Sequence, residues 1–589
     1  MTRITQISAA AFVSSALVVS ALGACARSPS DGLPPDQGFD FTSDAAPEDA
    51  GCPLRCSLDL GSVVRSCDGT LVEQCPPELA CGTTGCVAPC EAMANAQSSL
   101  GCEFYAQPPQ TTIGAGSCYA AYVINAWHEP ITLDLALGDR TLDLSNSVFR
   151  FKTGSAELEA VSGPIQPNDA VVVFLSDAHR VLNAEGYTAC PDGAKPAIEE
   201  WTAPMATGMG KSFRITTSGP AAVSTIYPFG GAKSYFPTAT LLLPSASWGT
   251  QHILVEPWQR SLRIDGSLAV PGVQIVARED ATEVTIRPVK DIQPSTGIAG
   301  APAGQSTVYK LGKGEFLQLA QSDEISGSLV TSNKPIATFG EHACMDIPVG
   351  VAACDVEQKQ IPAFDQWGQE YAAVRYRGRT SKTESIPYRI VAGIDGTKLS
   401  YDPAPPAGAP TTMAAGEVTT FWTDSPFVVR SQDVDHPIYL AAYMTGGGNP
   451  GLNRSGDPEA VNVVPTGQYM NAYSFYADPT YEETSLVVIR AKSEAGVFED
   501  VTLECAGGPL TDWQPLGTAG KFEYRLVDLI RAGGAGETFP GGTCTKGLHR
   551  MNSKGPFTAT IWGWGVTASY AYPGGMAQRT LVKTRLVVN

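Results

Sequence analysis

The side chains in this sequence that could do chemistry are few and scattered. Six histidines stand at His128, His179, His252, His342, His436 and His549, with no HExxH and no closely spaced pair, so zinc hydrolysis lacks ligands. No GxSxG offers a nucleophile elbow. GMGKS at Gly208–Ser212 approaches a phosphate loop. The spacing, however, requires glycine where Met205 stands, and FRITTS (Phe213–Ser218) reads as strand where that loop needs a helix N-terminus. Asp433 and Asp435 project from one side of an extended segment, with Asp424 nearby. Oxygen-rich loops of this kind bind calcium weakly in extracellular modules, but no complete ligand set is visible and a solvated acidic turn is favoured. Weak calcium binding is the one cofactor expectation; no catalytic residue and no metal ligand is assigned.

Trp562 and Trp564 alternate onto one face of a strand, with Tyr570 and Tyr572 close behind. Exposed, that face would suit sugar stacking or a protein hot spot; burial in a core is favoured. His342, His436 and His549 each sit at or near a repeated polar turn, and are expected to be turn histidines bonded locally.

Cysteine dominates the chemistry that remains. Of fifteen cysteines, ten lie before residue 119, a density that belongs to an oxidising, extracytoplasmic compartment. Cys52, Cys56, Cys67, Cys75, Cys81, Cys86 and Cys90 crowd a stretch too short to build a core without staples. Cys52-x₃-Cys56 and Cys86-x₃-Cys90 have zinc-like spacing, but the segment lacks histidine and the compartment disfavours free thiolates. Three local bridges among the first six are expected, their connectivity open. Cys90 is expected to join Cys102 across a short helix at Glu91–Ser99. Further candidate pairs are Cys118–Cys190, Cys344–Cys354 and Cys505–Cys544.

These elements sit behind an export signal. Arg3 and the apolar run Ala9–Ala24 read as a signal peptide over residues 1–24, too short and too rich in Ala and Ser to span a membrane. Leu22-Gly23-Ala24-Cys25 resembles the bacterial lipobox, whose cysteine is lipidated; the alternative is ordinary cleavage beside an incidental Cys25. Ala26 and Arg27 follow with no Asp, which by resemblance to enteric lipoproteins favours the outer membrane. Residues 25–51 carry six acids and no base after Ser28, with Pro and Gly interspersed, and read as a disordered tether. A net charge of −19 excludes a nucleic-acid binder and an electrostatic binder of anionic lipid.

The rest reads as all-β. At 589 residues the chain holds several units, and abundant Gly (60) and Pro (44) bound short alternating or apolar runs. GSLVTSNKPIATFGEH (Gly327–His342) recurs as FRITTSGPAAVSTIY from Phe213, FVVRSQDVDHPIYLAAY from Phe427 and GLHRMNSKGPFTATIWGW from Gly547. Each is read as a hairpin, two strands joined by a polar turn before Pro220, Pro335, Pro437 or Pro556. An apolar-Pro strand with a following aromatic (LLLPSASWG, IPAFDQWG, VVPTGQY), an Asp-x-Thr turn at Asp280 and Asp395, and the starts Gly314-Glu315 and Gly416-Glu417 recur in register. The expectation is a disulfide-rich module at 52–100, then tandem β-sandwich-like repeats of about 100–120 residues at 101–230, 231–345, 346–445 and 446–589. A β-propeller is the rival; its blades repeat every ~40–50 residues.

GSLVTSNKPIATFGEHACMDIPVGVAACDVEQKQIPAFDQWGQEY, GDPEAVNVVPTGQY (Gly456–Tyr469) and SYAYPGGM (Ser569–Met576) together resemble the IgGFc-binding protein N-terminal domain family, over residues 101–576. Bacterial members include surface lipoproteins with a preceding GCEFYA (Gly101–Ala106) and a cysteine-rich head. The resemblance implies an extracellular, disulfide-bonded binding or adhesion module without known catalytic residues, and it carries over no ligand-contact residues. The functional expectation is a cell-surface outer-membrane lipoprotein that binds an extracellular protein or glycan and meets the membrane through its N-terminal lipid. The alternatives are a secreted glycan-active hydrolase, since 59 carboxylates could include an acid pair ~5–9 Å apart, or a purely structural envelope protein.

Overall fold

The four proline-bearing repeats prove to be the structural spine. A computed structural model describes residues 54–587, apart from 58–59, 66–68, 83–84, 153, 183, 185, 263–267, 352 and 381–383. The export signal, Cys25, the tether, Cys52 and Cys67 lie outside the described residues.

The hairpin reading is overturned. Phe213–Tyr227, Leu329–Met345 and Gly547–Gly565 are each one continuous strand bent at the polar turn. The third copy is interrupted there, into Phe427–Ser431 and Ile438–Met444. The halves do not pair with each other. Before the bend, the strand in the first sheet pairs with Gly101–Ala106 and Leu133–Leu137; after it, with Tyr119–Asn125 and Thr238–Leu241. The second copy repeats the plan: Gly249–Ile253 and Thr282–Arg287 before the bend, Pro271–Ala277 and Asp355–Ile361 after. So does the fourth, with Met470–Ala477 and Val501–Leu503 before, Glu483–Ala491 and Ala568–Pro573 after. Each long strand is thus a corner that curls its sheet around a core.

The bend has the same geometry each time. Along the strand that opens each sheet, three residues face six of the corner strand: Gly101 to Glu103 against Ala221 to Thr216, Gly249 to Gln251 against Ile336 to Thr331, Met470 to Ala472 against Phe557 to Asn552. Proline cannot donate to a ladder and is confined to edges and bulges, which is why it marks the surplus residues. A hydroxyl at its start satisfies the exposed backbone: Thr217 donates to Gly219 O at 2.8 Å, Ser332 to Lys334 O at 2.6 Å and Ser431 to Asp433 O at 3.1 Å. Past the bend the strand is buried throughout in the first two copies, which explains the mostly apolar runs there.

The other repeated signatures also have local causes. Gly314 and Gly416 hold φ of 71° and 70°, open only to glycine at little cost, and Glu315 and Glu417 accept the backbone N–H of Gly312 and Ala414, each at 2.8 Å. Thr282 and Thr397 close their Asp-x-Thr turns by donating to Glu279 O and Ile394 O.

Among the described residues the chain forms a small three-stranded head sheet, a nine-stranded sheet, an eight-stranded sheet, a pair of four-stranded sheets and a final nine-stranded sheet. Gly208–Lys211, the phosphate-loop look-alike, is an edge strand of the second sheet, paired with Glu315–Ala320. The helix beyond the head runs Pro89–Asn95, shorter and earlier than Glu91–Ser99, with proline at its first position. Head residues Leu60, Val63 and Met93 share a core with Phe104, Tyr105 and Trp127.

The strand that closes each sheet (Thr238–Leu241, Asp355–Ile361, Glu459–Asn462, Ala568–Pro573) touches the next, and the last touches the first. The Pro-turns that follow them stack the same way. Gln366 donates to Ser247 O, Gln468 to Gln366 O, and Ala577 to Gln468 O. The circle closes where Ser99 N–H donates to Met576 O and Gln578 N–H to Gln97 O. The four units therefore form a ring of curled sheets, and no closed propeller is seen among the described residues.

Candidate binding surface

The structure joins Cys90–Cys102, Cys118–Cys190, Cys344–Cys354 and Cys505–Cys544, and in the head Cys56–Cys81 and Cys75–Cys86. The two head bridges interleave along the chain, so that module is knotted rather than a string of separate loops. Trp562 and Trp564 are buried against the ring of Tyr376, and the Tyr570 and Tyr572 hydroxyls face the backbone of Asp478 and Tyr476. They are core.

Of the three repeat histidines only His436 is a turn residue, its Nδ1 2.7 Å from Asp433 Oδ1. His342 and His549 are buried within corner strands, beside Gln259 O and Thr545 O, and burial pushes both down to about 4. The acidic turn is engaged locally. Asp433 Oδ1 also accepts the Asp435 N–H, Asp435 Oδ1 accepts from the Thr584 hydroxyl, and Asp424 accepts from Ser425. Among the described residues no group of three or more His, Cys, Asp or Glu is placed to hold a metal ion, and no helix is long and apolar enough to cross a membrane.

The residues sequence reasoning missed lie at the seam of the first two sheets. Between the corner strand Phe213–Tyr227 and the closing strand Thr238–Leu241, the loop turns through Gly230 and Gly231, and a Cβ on Gly231 would lie 2.4 Å from Thr480 O. The loop is pinned by the Ser234 hydroxyl donating to Gly231 O and the Thr188 hydroxyl donating to Ser234 O. Next come Tyr235 and Phe236, both at positive φ, 40° and 61°. For bulky residues that is a genuine outlier, and two in succession persist only where the surroundings over-determine them, as they do at clamps and binding loops.

The strain presents an aromatic pair. Tyr235 is 54% exposed, while Phe236 packs on a small apolar cluster of Ile113, Ala269, Ala343 and Cys344. The Cys344–Cys354 bridge fixes the loop beside it. Exposed Met205 and Leu268 line a cavity of about 100 Å³ on the same cluster. The result is an apolar, loop-rimmed surface with a rigid tyrosine, the kind of composition that marks protein-binding hot spots. In the sequence the only trace is GAKSYFP, two aromatics in a Gly/Ser-rich loop, where an aromatic has no core reason to be.

Comparison with known proteins places this architecture. Residues 238–563 match the family described as IgGFc binding protein, from the closing strand of the first sheet to the corner strand of the fourth. The chain belongs to that family. Among curated relatives, the human IgGFc-binding protein is 26% identical over 298 residues, covering 49% of this chain and 5% of the human protein. The chain thus matches a small part of that protein's length. No solved structure matches.

Proposed function

We propose that this chain is an exported binding protein that engages an extracellular protein through the Tyr235–Phe236 surface, anchored to the outer membrane by a lipid on Cys25. The observation that carries the reading is membership of a family named for binding, over more than half the chain. The bridges of the head and sheets suit an oxidising exterior, and the rigid aromatic loop supplies a surface of the right chemistry. Binding of immunoglobulin Fc itself is one specific form of this reading.

The test measures association of the purified protein with immobilised extracellular proteins, immunoglobulin Fc among them, for wild type, Tyr235→Ala and Leu268→Asp. A hot-spot role predicts a loss of roughly tenfold or more for each variant with the thermal midpoint unchanged. Wild-type affinity in both variants would move the site elsewhere. Cell-surface display is tested separately, by protease shaving of intact cells with wild type and Cys25→Ser; protection of the wild-type protein would rule it out.

A further inference from the structure

At the centre of the ring, where three closing strands meet, stands a fully enclosed lysine with two glutamates. Lys359 and Glu357 come from Asp355–Ile361, Glu459 from Glu459–Asn462; their side chains are 5%, 0% and 0% exposed. Lys359 Nζ lies 2.7 Å from Glu357 Oε1 and in contact with Glu459 Oε1, and it also reaches Ala239 O at 2.5 Å and Thr238 Oγ1 at 3.1 Å. The nitrogen is therefore held from three sides against one carboxyl group.

The two glutamates differ. Glu357 is fully engaged: Oε2 accepts the Ala460 N–H at 2.7 Å, and Oε1 accepts from Thr238 Oγ1 and the Gln358 N–H, each at 3.1 Å. Glu459 meets Lys359 through Oε1, and its Oε2 is buried without a hydrogen-bond partner. An orphaned, buried carboxylate oxygen beside a buried ammonium is an expensive way to fill a core, because both ions lose water and the pair repays it only with full hydrogen bonding.

We propose that Lys359 and Glu459 condense to an intramolecular amide, with Glu357 carrying the proton. Burial and the charge of Glu357 raise the Glu459 carboxyl well above its ordinary value, while the two carboxylates outweigh burial at Lys359 and raise it too, so Glu357 must first pass a proton from the ammonium to Glu459 Oε2 before the amine can attack. A desolvated lysine amine is a competent nucleophile. Nζ attacks Cδ of Glu459, Glu357 takes a proton from the nitrogen and returns it to the departing hydroxyl, and Oε2 leaves as water. One N–H and one C–O bond break, one C–N and one O–H bond form, and no oxidant is needed. The product removes two buried charges and the orphaned oxygen together. It also links the second sheet to the third covalently, at a place where three closing strands meet.

Peptide mapping of the purified full chain by mass spectrometry tests this directly. The expected result is a branched peptide joining Lys359 to Glu459, lighter by one water than its two parts, with no trypsin cleavage after Lys359. Glu357→Gln keeps the shape but cannot shuttle the proton, and should return the two peptides separate at full mass while retaining a cooperative thermal transition. Unlinked, full-mass peptides from wild type would overturn the proposal without any variant, as would a water loss mapped to another pair. A linked peptide from Glu357→Gln would overturn the role of Glu357.

Discussion

At the scale of single residues, the ring depends on a polar contact repeated at the start of its sheets. Tyr371 OH donates to Ile438 O at 2.5 Å and accepts the Gly368 N–H; Tyr473 OH donates to Phe557 O at 2.6 Å and accepts the Met470 N–H. Both carbonyls follow the corner proline, where regular pairing has lapsed. His252 takes the same position in the second sheet, next to Gly249 O and Thr338 Oγ1. Tyr473→Phe would leave a buried carbonyl and an amide unpaired, so it should lower stability by ~1–3 kcal/mol in chemical denaturation, with little change of shape. The titrating groups add a second prediction. Burial lifts the Asp457 carboxyl from an ordinary 3.8 to about 7, and pushes His252, His342 and His549 from 6.5 down to about 4. The folded state therefore holds a proton on Asp457 that the unfolded chain releases, so its contribution is complete below pH 3.8 and is lost as pH rises through 7. The histidines act oppositely: their contribution is present above 6.5 and is lost as pH falls through 4. Of these groups only Asp457 changes between pH 6.5 and 8, and the thermal midpoint should fall. Asp457→Asn should flatten that fall; an already flat wild-type profile would refute the assignment.

At the scale of elements, the sequence spoke clearly about period and poorly about partners. The Ser-x-x-Pro copies, the Asp-x-Thr turns and the Gly-Glu starts are all local devices, and each marks what it locally is: a break, a tight turn, a left-handed glycine. Whether the halves flanking Pro335 pair with each other or with other strands is decided by distant neighbours, such as Pro271–Ala277 and Asp355–Ile361, so the hairpin reading erred where only tertiary structure could decide. The Tyr235–Phe236 surface was illegible for a related reason: positive φ there goes with a loop held from outside, where Thr188 bonds Ser234 O, and leaves no signature in the pair itself. The corners themselves are testable. Gly340 lies past the bend of the second corner strand, and a Cβ there would meet Val255 O at 2.2 Å, backbone that cannot rotate aside. Gly340→Ala should cost about 1–3 kcal/mol or more, read as a lower thermal midpoint. Ala at Gly350, where φ is positive but space is open, should cost less.

At the scale of the whole molecule, repetition was legible and circularity was not. Four units in tandem describe a string as well as a ring, and the contacts that decide are those of Gln97 and Ser99 with Met576 and Gln578, nearly the full chain apart. The segment beyond them continues across its predecessors: Leu581 and Val582 N–H donate to Asp365 O, and Leu586 N–H to Gln251 Oε1. Deleting residues 574–589 removes both the closure and this strap, and should split one cooperative unfolding transition into two or more; a single unchanged transition would show that the units are held by their centre alone. The placement of Cys90–Cys102 gives this closure a mechanical character. The bridge encloses residues 91–101, and Gln97 and Ser99 sit inside that loop. Tension arriving through the head passes across the sulfur atoms straight into Gly101–Ala106 and its ladder with the first corner strand, so the residues that seal the ring hang slack beside the load path. The head side of the seam is shielded from a pull that arrives through the head.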